Sequence, residues 1–204
     1  GGSGLGDDEP SVDVMADDVA ELLDAEGVER AVVGGQSMGG YVTMAFCRRY
    51  PDRVQAVVLA DTKAAPDSVE AAANRELAAQ RVLDGGDLTD TVPNLVGATT
   101  LARRPMVVGR VRGLVKSAPP GAVAWALRAM AGRPDSFDTL RGLKVPALVL
   151  VGEEDELTSV ADAEAMAEAA PDVQLEILPN SGHLSAIETP VAFNKAVAAF
   201  LAKL

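Results

Sequence analysis

A single cysteine, Cys47, in 204 residues excludes an intrachain disulfide, and a single histidine, His183, excludes a cluster of soft metal ligands. Basic residues are few: 18 Lys and Arg against 30 Asp and Glu leave a formal net charge of −12. Nucleic-acid binding rests on Lys and Arg displacing counterions from phosphates, so no nucleic-acid partner is expected. One Trp, two Tyr and four Phe leave little material for base-stacking platforms. The longest apolar runs, Val54–Ala60 and residues 145–151, are far too short to span a bilayer, and no secretory pattern precedes them. The expectation is a protein of the cytoplasm, a reducing compartment, with no membrane association, no metal and no cofactor.

What is present is a strand–helix alternation. Val12, Met15, Ala16, Val19, Leu22 and Leu23 fall at helical spacing, with Ser11 placed to cap the start and Gly27 to end it. Residues 31–33 form a short apolar strand, followed by a Gly-rich turn over 34–40 and a helix to Tyr50 that Pro51 stops. Val54–Ala60, 146–151 and Val173–Leu178 read as further buried strands, with helical patterns over 160–170 and 191–204. Strands alternating with helices predict an α/β fold with a parallel sheet covered on both faces.

Residues 66–141 differ. Their helical patterns are broken by Gly85-Gly86, Pro93, Pro105 and Pro119-Pro120, which predicts a helical cap inserted between a first part of the core, 1–65, and a second part, 142–204. From Ala98 to Pro134 there are seven basic residues (Arg103, Arg104, Arg110, Arg112, Lys116, Arg128 and Arg133) and no acidic one. Charge runs usually form a solvated face; the alternative is a cap that attracts an anionic substrate.

Gly35-Gln36-Ser37-Met38-Gly39 matches G-x-S-x-G, a turn that holds a serine at a strand-to-helix corner. A phosphate cradle is disfavoured, because neither a Gly-Lys-Ser/Thr ending nor G-x-G-x-x-G is present. A serine nucleophile needs a base to take its proton and a carboxylate to orient that base. His183 follows the last strand in the loop Pro179-Asn180-Ser181-Gly182, at a carboxyl end where α/β proteins place their sites. Asp155 in Gly152-Glu153-Glu154-Asp155 gives the chain order Ser37, Asp155, His183. Asp61, just after the second strand, is the rival acid. Glu153 and Glu154 read as solvated loop charge.

The segments Gly34-Gly35-Gln36-Ser37-Met38-Gly39-Gly40, Gly152-Glu153-Glu154-Asp155 and Ser181-Gly182-His183-Leu184-Ser185-Ala186-Ile187-Glu188-Thr189-Pro190 resemble the three signatures of the α/β-hydrolase superfamily. The likeness lies near its 3-oxoadipate enol-lactonase-like and small carboxylesterase members and extends over nearly the whole chain. It implies a parallel sheet of the α/β-hydrolase type with an inserted cap, nucleophile Ser37, orienting acid Asp155 and base His183. It also implies that the backbone N–H of Met38 is one oxyanion-hole donor.

The chain departs from that pattern at its front. Family members begin with strands earlier than any found here, and their second oxyanion donor comes from a loop after one of those strands, often marked His-Gly. Gly1-Gly2-Ser3 reads either as an artificial linker or, the favoured reading, as resembling the tail of the family's Arg-Gly-x-Gly-x-Ser segment. The expectation is therefore an interrupted family sequence, its C-terminal portion. Residues 31–33 would then be an open sheet edge, to be completed, with the oxyanion hole, by a second chain or a missing N-terminal segment. The function expected is a serine hydrolase cleaving a small-molecule ester or lactone through an acyl-enzyme. A small peptidase or amidase, and a non-catalytic ligand-binding or partner subunit on a hydrolase scaffold, are the alternatives.

Overall fold

The computed structural model describes residues 4–204; Gly1-Gly2-Ser3, likened above to a family segment, lie outside the described residues. The chain runs α1 (Val12–Ala25), β1 (Ala31–Gln36), α2 (Met38–Arg49), a 3-10 turn (Pro51–Arg53) and β2 (Val54–Ala60). Next come α3 (Val69–Leu83), a 3-10 segment (Thr89–Leu95), α4 (Ala98–Arg103), α5 (Pro105–Ser117), α6 (Pro120–Ala131) and α7 (Phe137–Arg141). β3 (Ala147–Gly152), α8 (Val160–Ala169), β4 (Val173–Leu178), α9 (Ser185–Glu188) and α10 (Pro190–Leu201) complete it. The four strands are all parallel, in the order β1-β2-β3-β4, and form the sheet of an α/β fold.

Helices cover both faces because the central strands β2 and β3 are apolar on both, the exposed Gln55 apart. β3 is buried along its whole length, as expected of a central parallel strand. On one face Val57, Leu59, Val149 and Val151 pack with Met44 and Phe46 of α2, Ala16 of α1 and Met166 of α8. On the other, Ala56, Leu148 and Leu150 meet Phe193 and Phe200 of α10. Each fully buried Leu, Val or Phe contributes about 1.5–3 kcal/mol relative to exposure, so these two layers dominate the fold's stability.

The start of α1 is as its sequence requires: the Ser11 hydroxyl accepts from the Asp13 N–H at 3.1 Å, and Gly27 takes a left-handed φ of +66° beyond the helix end. β1 corrects the expectation. It extends past residue 33 to Gln36, and Gly34 and Gly35 belong to the ladder opposite Val58 and Leu59 rather than to a turn. Their bareness serves close approach: a Cβ on Gly34 would sit 2.9 Å from the Val58 Cβ, and one on Gly35 would collide with the backbone of Gly39. The turn collapses to Ser37 alone.

Helices α3 to α7 occupy the interval between β2 and β3. Pro105 and Pro120 open α5 and α6, where a missing N–H costs nothing. α3 meets α6 through Ala79, Val82 and Ala124. Val92, Val96 and Val111 pack with Leu184 and Ile187, so the inserted helices touch the segment just after His183. β1 is an edge strand, half-buried for most of its length. Among the described residues, no helix is long and apolar enough to cross a membrane.

Candidate active site

Each strand ends at the same rim of the sheet, and the loops that leave this rim carry the candidate residues. Between Gln36, the last residue of β1, and Met38, the first of α2, Ser37 adopts φ +54° and ψ −116°. Such a backbone costs about 1–3 kcal/mol for a non-glycine residue and must be held by its surroundings. The holders come from β2 and the residues just after it: the Ser37 N–H donates to the Ala60 carbonyl at 2.9 Å, and the Thr62 hydroxyl donates to the Ser37 carbonyl at 2.8 Å. Met38 opens α2, so its N–H is one of the donors a helix start leaves without an intrahelical partner.

The Ser37 Oγ lies 2.7 Å from Nε2 of His183, and Nδ1 of His183 lies 2.9 Å from Oδ2 of Asp155. The carboxylate can only accept, so Nδ1 carries the proton and Nε2 presents its lone pair to the serine hydroxyl. Asp155 is fixed in turn. Its Oδ1 accepts from the N–H groups of Leu157 (2.9 Å) and Thr158 (3.0 Å), and its Oδ2 accepts from the Thr158 hydroxyl at 2.6 Å. Burial alone would raise this carboxyl, but the His183 hydrogen bond and charge, with the Thr158 donors, hold it below the usual carboxylate range. The arrangement can pass a hydroxyl proton to an imidazole whose cationic form a nearby carboxylate stabilises.

The histidine loop is pinned on both sides of His183. Glu188, only 4% exposed, accepts from the N–H groups of Gly182 (2.9 Å) and Leu184 (3.2 Å), and also from Gly97 (2.8 Å) at the start of α4. Asp61, the rival acid, follows β2 directly with φ +43° and is fully buried. It bonds to Gln36, Gly152 and Ser185 rather than to the imidazole. The geometry thus brings Ser37, His183 and Asp155 into one line and leaves Asp61 beside it. Burial pushes the Asp61 carboxyl up to about 6, against hydrogen bonds from Ser185, Gln36 and Gly152 that act to lower it.

A profile of the alpha/beta hydrolase fold matches residues 2–190. The chain belongs to the alpha/beta hydrolase fold family. This hydrolase superimposes on a thermophilic esterase from Thermogutta terrifontis, solved with malate bound, with a TM-score of 0.96 and 40% identity, covering 100% of this chain and 76% of that one. It is similar to the enol-lactonase from Burkholderia xenovorans LB400, with a TM-score of 0.86 and 30% identity over 97% of this chain and 75% of the other. In sequence it is 30% identical over 200 residues to 3-oxoadipate enol-lactonase 2 of Acinetobacter baylyi, spanning 93% of this chain and 70% of that relative. The chain is an enzyme of this hydrolase class.

Beside Met38 the hydrolase has a groove of about 290 Å³ lined by Leu5, Met15, Met38, Trp125 and Ala126, with Asp8 and Asp18 among its polar groups. None of the seven basic residues of 98–134 lines it. Arg128 pairs with Glu76 at 2.7 Å and Arg133 with Asp67 at 2.7 Å, while Arg104 donates to the Asn180 carbonyl at 2.8 Å. A wider cleft, about 760 Å³, opens by residues before the strands, among Arg30, Cys47, Arg48 and Lys144, away from the rim that carries Ser37, Asp155 and His183.

Glu154 departs from the expectation of solvated loop charge: its carboxylate accepts from both the N–H and the hydroxyl of Thr99, tying the Asp155 loop to α4. Glu153 is exposed, as expected. Sequence reasoning missed Thr158, Gln36 and Glu188. Thr158 had a local signal, the Asp-x-x-Thr spacing that lets a hydroxyl reach back to a loop carboxylate; Gln36 acts across long sequence separations, and Glu188 joins its local bonds to a distant one from Gly97.

Proposed function

We propose that this hydrolase cleaves a small carboxylic ester or lactone through an acyl-enzyme on Ser37, with His183 as the base and Asp155 orienting it. The observation that carries this is the hydrogen-bonded line, 2.7 Å from Ser37 Oγ to His183 Nε2 and 2.9 Å from His183 Nδ1 to Asp155 Oδ2. A binding module would have no use for such a proton path. The similarity to an esterase and to enol-lactonases supports an ester or lactone substrate over a peptide. In the reaction Ser37 Oγ attacks the carbonyl carbon and gives its proton to His183, and the Met38 N–H donates to the developing oxyanion. His183 returns the proton to the departing alkoxide, then activates the water that releases the acid. Residues 66–141 serve as a cap, and the groove at Met38, lined by apolar side chains together with Asp8 and Asp18, takes a small uncharged group, since the two carboxylates repel an anion.

The same proposal keeps a second donor for the oxyanion on a strand laid along β1, from a second chain or a segment outside these residues. Support comes from the half-buried β1 edge and from the groove beside it, lined by Val32, Val58, Phe193 and Val197. A cytoplasmic setting fits Cys47, whose thiol burial pushes up to about 12 and so keeps unreactive.

The test is labelling by a serine-directed fluorophosphonate together with hydrolysis of p-nitrophenyl butyrate. Labelling that disappears in Ser37→Ala, with loss of ester cleavage, supports the assignment. Equal labelling and turnover in Ser37→Ala would overturn it.

A further inference from the structure

We propose that Asp61 is a positioning residue for this reaction, a single acceptor that draws the loops carrying Ser37, His183 and Asp155 into one register. The proposal rests on reading those three as the reacting groups. Asp61 has 0% exposure, and its two oxygens receive donors from three separate places along the chain. Oδ1 accepts from the N–H of Gly152 at 2.9 Å, the residue from which the Asp155 loop departs. Oδ2 accepts from the side-chain amide of Gln36 at 2.6 Å, one residue before Ser37. The same Oδ2 takes both the hydroxyl (2.6 Å) and the N–H (3.2 Å) of Ser185, two residues beyond His183.

Gln36 closes the figure. Its Nε2 also donates to the backbone carbonyl of His183 at 3.1 Å, so the residue before the nucleophile holds the residue that must face it. Ser37 and His183 are thus joined twice, once through the reacting atoms and once through Gln36 and Asp61.

A purely structural plug would not be built this way. Among the described residues no cation pairs with Asp61, so neutral donors alone compensate a carboxylate taken out of water, an expensive choice where an apolar side chain would fill the space. Burial accordingly pushes the carboxyl up to about 6. The left-handed backbone at Asp61, φ +43°, adds a local cost. What the carboxylate supplies, and an apolar residue cannot, is two oxygens able to accept from several directions at once. Every group facing it acts as a donor, so an amide in its place sets a donor against a donor. Misalignment of reacting atoms by about 1 Å lowers rates by about a hundredfold, which makes a registering acceptor consequential without any contact to substrate.

The experiment compares the wild-type chain with Asp61→Asn, Ser185→Ala and Gln36→Met by ester kinetics, fluorophosphonate labelling rate and NMR of the imidazole. His183 is the only histidine, so its ring signals need no assignment. Asp61→Asn should lower kcat and the labelling rate by about 10- to 100-fold while KM stays within about twofold, and the hydrogen-bonded Nδ1 proton of His183 should shift. Gln36→Met should reproduce part of both changes. The Gln36→Met/Asp61→Asn pair should lose less than the product of the single losses, because both act through one link.

A folded Asp61→Asn with wild-type kcat and an unmoved imidazole signal would overturn the proposal. So would a loss of rate that merely tracks the fraction unfolded. Should Asp61→Asn fail to fold, Ser185→Ala and Gln36→Met decide by the same readouts, and unchanged rate and ring signals in both overturn it. If the wild type itself takes no label, the reading of Ser37 fails instead, and the imidazole signals still judge the positioning role.

Discussion

Two aspartates follow neighbouring strands of the same sheet, both buried, and their surroundings give them opposite characters. Asp155, after β3, faces the imidazole of His183 and the hydroxyl of Thr158, and its carboxyl is held below the usual range despite burial. Asp61, after β2, meets only neutral donors, and burial wins, raising it to about 6. Burial is common to both; a partner that can become cationic belongs to one. A carboxylate next to such a partner can stabilise charge as it develops, whereas one ringed by backbone and amide donors can only hold geometry. On the roles proposed above, the rival candidates of the sequence would be two parts of one device.

The strongest way to break this comparison is to remove the imidazole line that both serve. Ser37→Ala or His183→Ala should each lower kcat by about 10⁴- to 10⁶-fold, and the double variant should be no worse than either alone, as measured by ester hydrolysis. Next in size, Asp155→Asn should lower kcat by about 10⁴-fold through the wrong imidazole tautomer, well beyond the loss in Asp61→Asn. A reversed ranking would exchange the two roles.

Stability against pH sharpens the contrast, because the two shifts have opposite sign. Asp61 binds its proton more tightly folded than unfolded, so its contribution is full below about pH 3.8 and declines as pH rises to about 6. Urea unfolding should show wild type losing stability relative to Asp61→Asn across that window, by on the order of 2–3 kcal/mol. Asp155 is lowered, so its contribution is present above 3.8 and lost as pH falls through its folded value. Relative to Asp155→Asn, wild type should therefore weaken toward acid. The smallest effect belongs to Thr158→Val, which removes one donor to Asp155: about a fivefold fall in kcat, the kinetic equivalent of about 1 kcal/mol.

Local patterns carried much of the architecture. β2 and β4 span the segments from which they were expected, and α1 starts at its Ser11 cap. Ser37 was legible because its motif is five residues long, and His183 because no other histidine competes with it. Gly34 and Gly35 misled because glycine marks both turns and close approaches, and only the register with Val58 and Leu59 tells which. The long-range hydrogen bonds that hold the site were illegible for a different reason. Glu188 meets Gly97 across 91 positions and Asp61 meets Ser185 across 124, and no local periodicity encodes a contact between distant segments.

The left-handed turn at Ser37 bears on how the enzyme comes into being. The turn is held by Ala60 and Thr62, and the hydroxyl meets the His183 imidazole 146 positions away, so a chain whose β2 and His183 loop have not yet docked lacks both the holders and the partner of Ser37. Contacts of such long range form late, after loop-closure entropy has been met. If Ser37 is the nucleophile proposed above, its reactivity is a clock for the final stage of folding: during refolding it should emerge only once the last strand has joined the sheet, well after helical structure has returned.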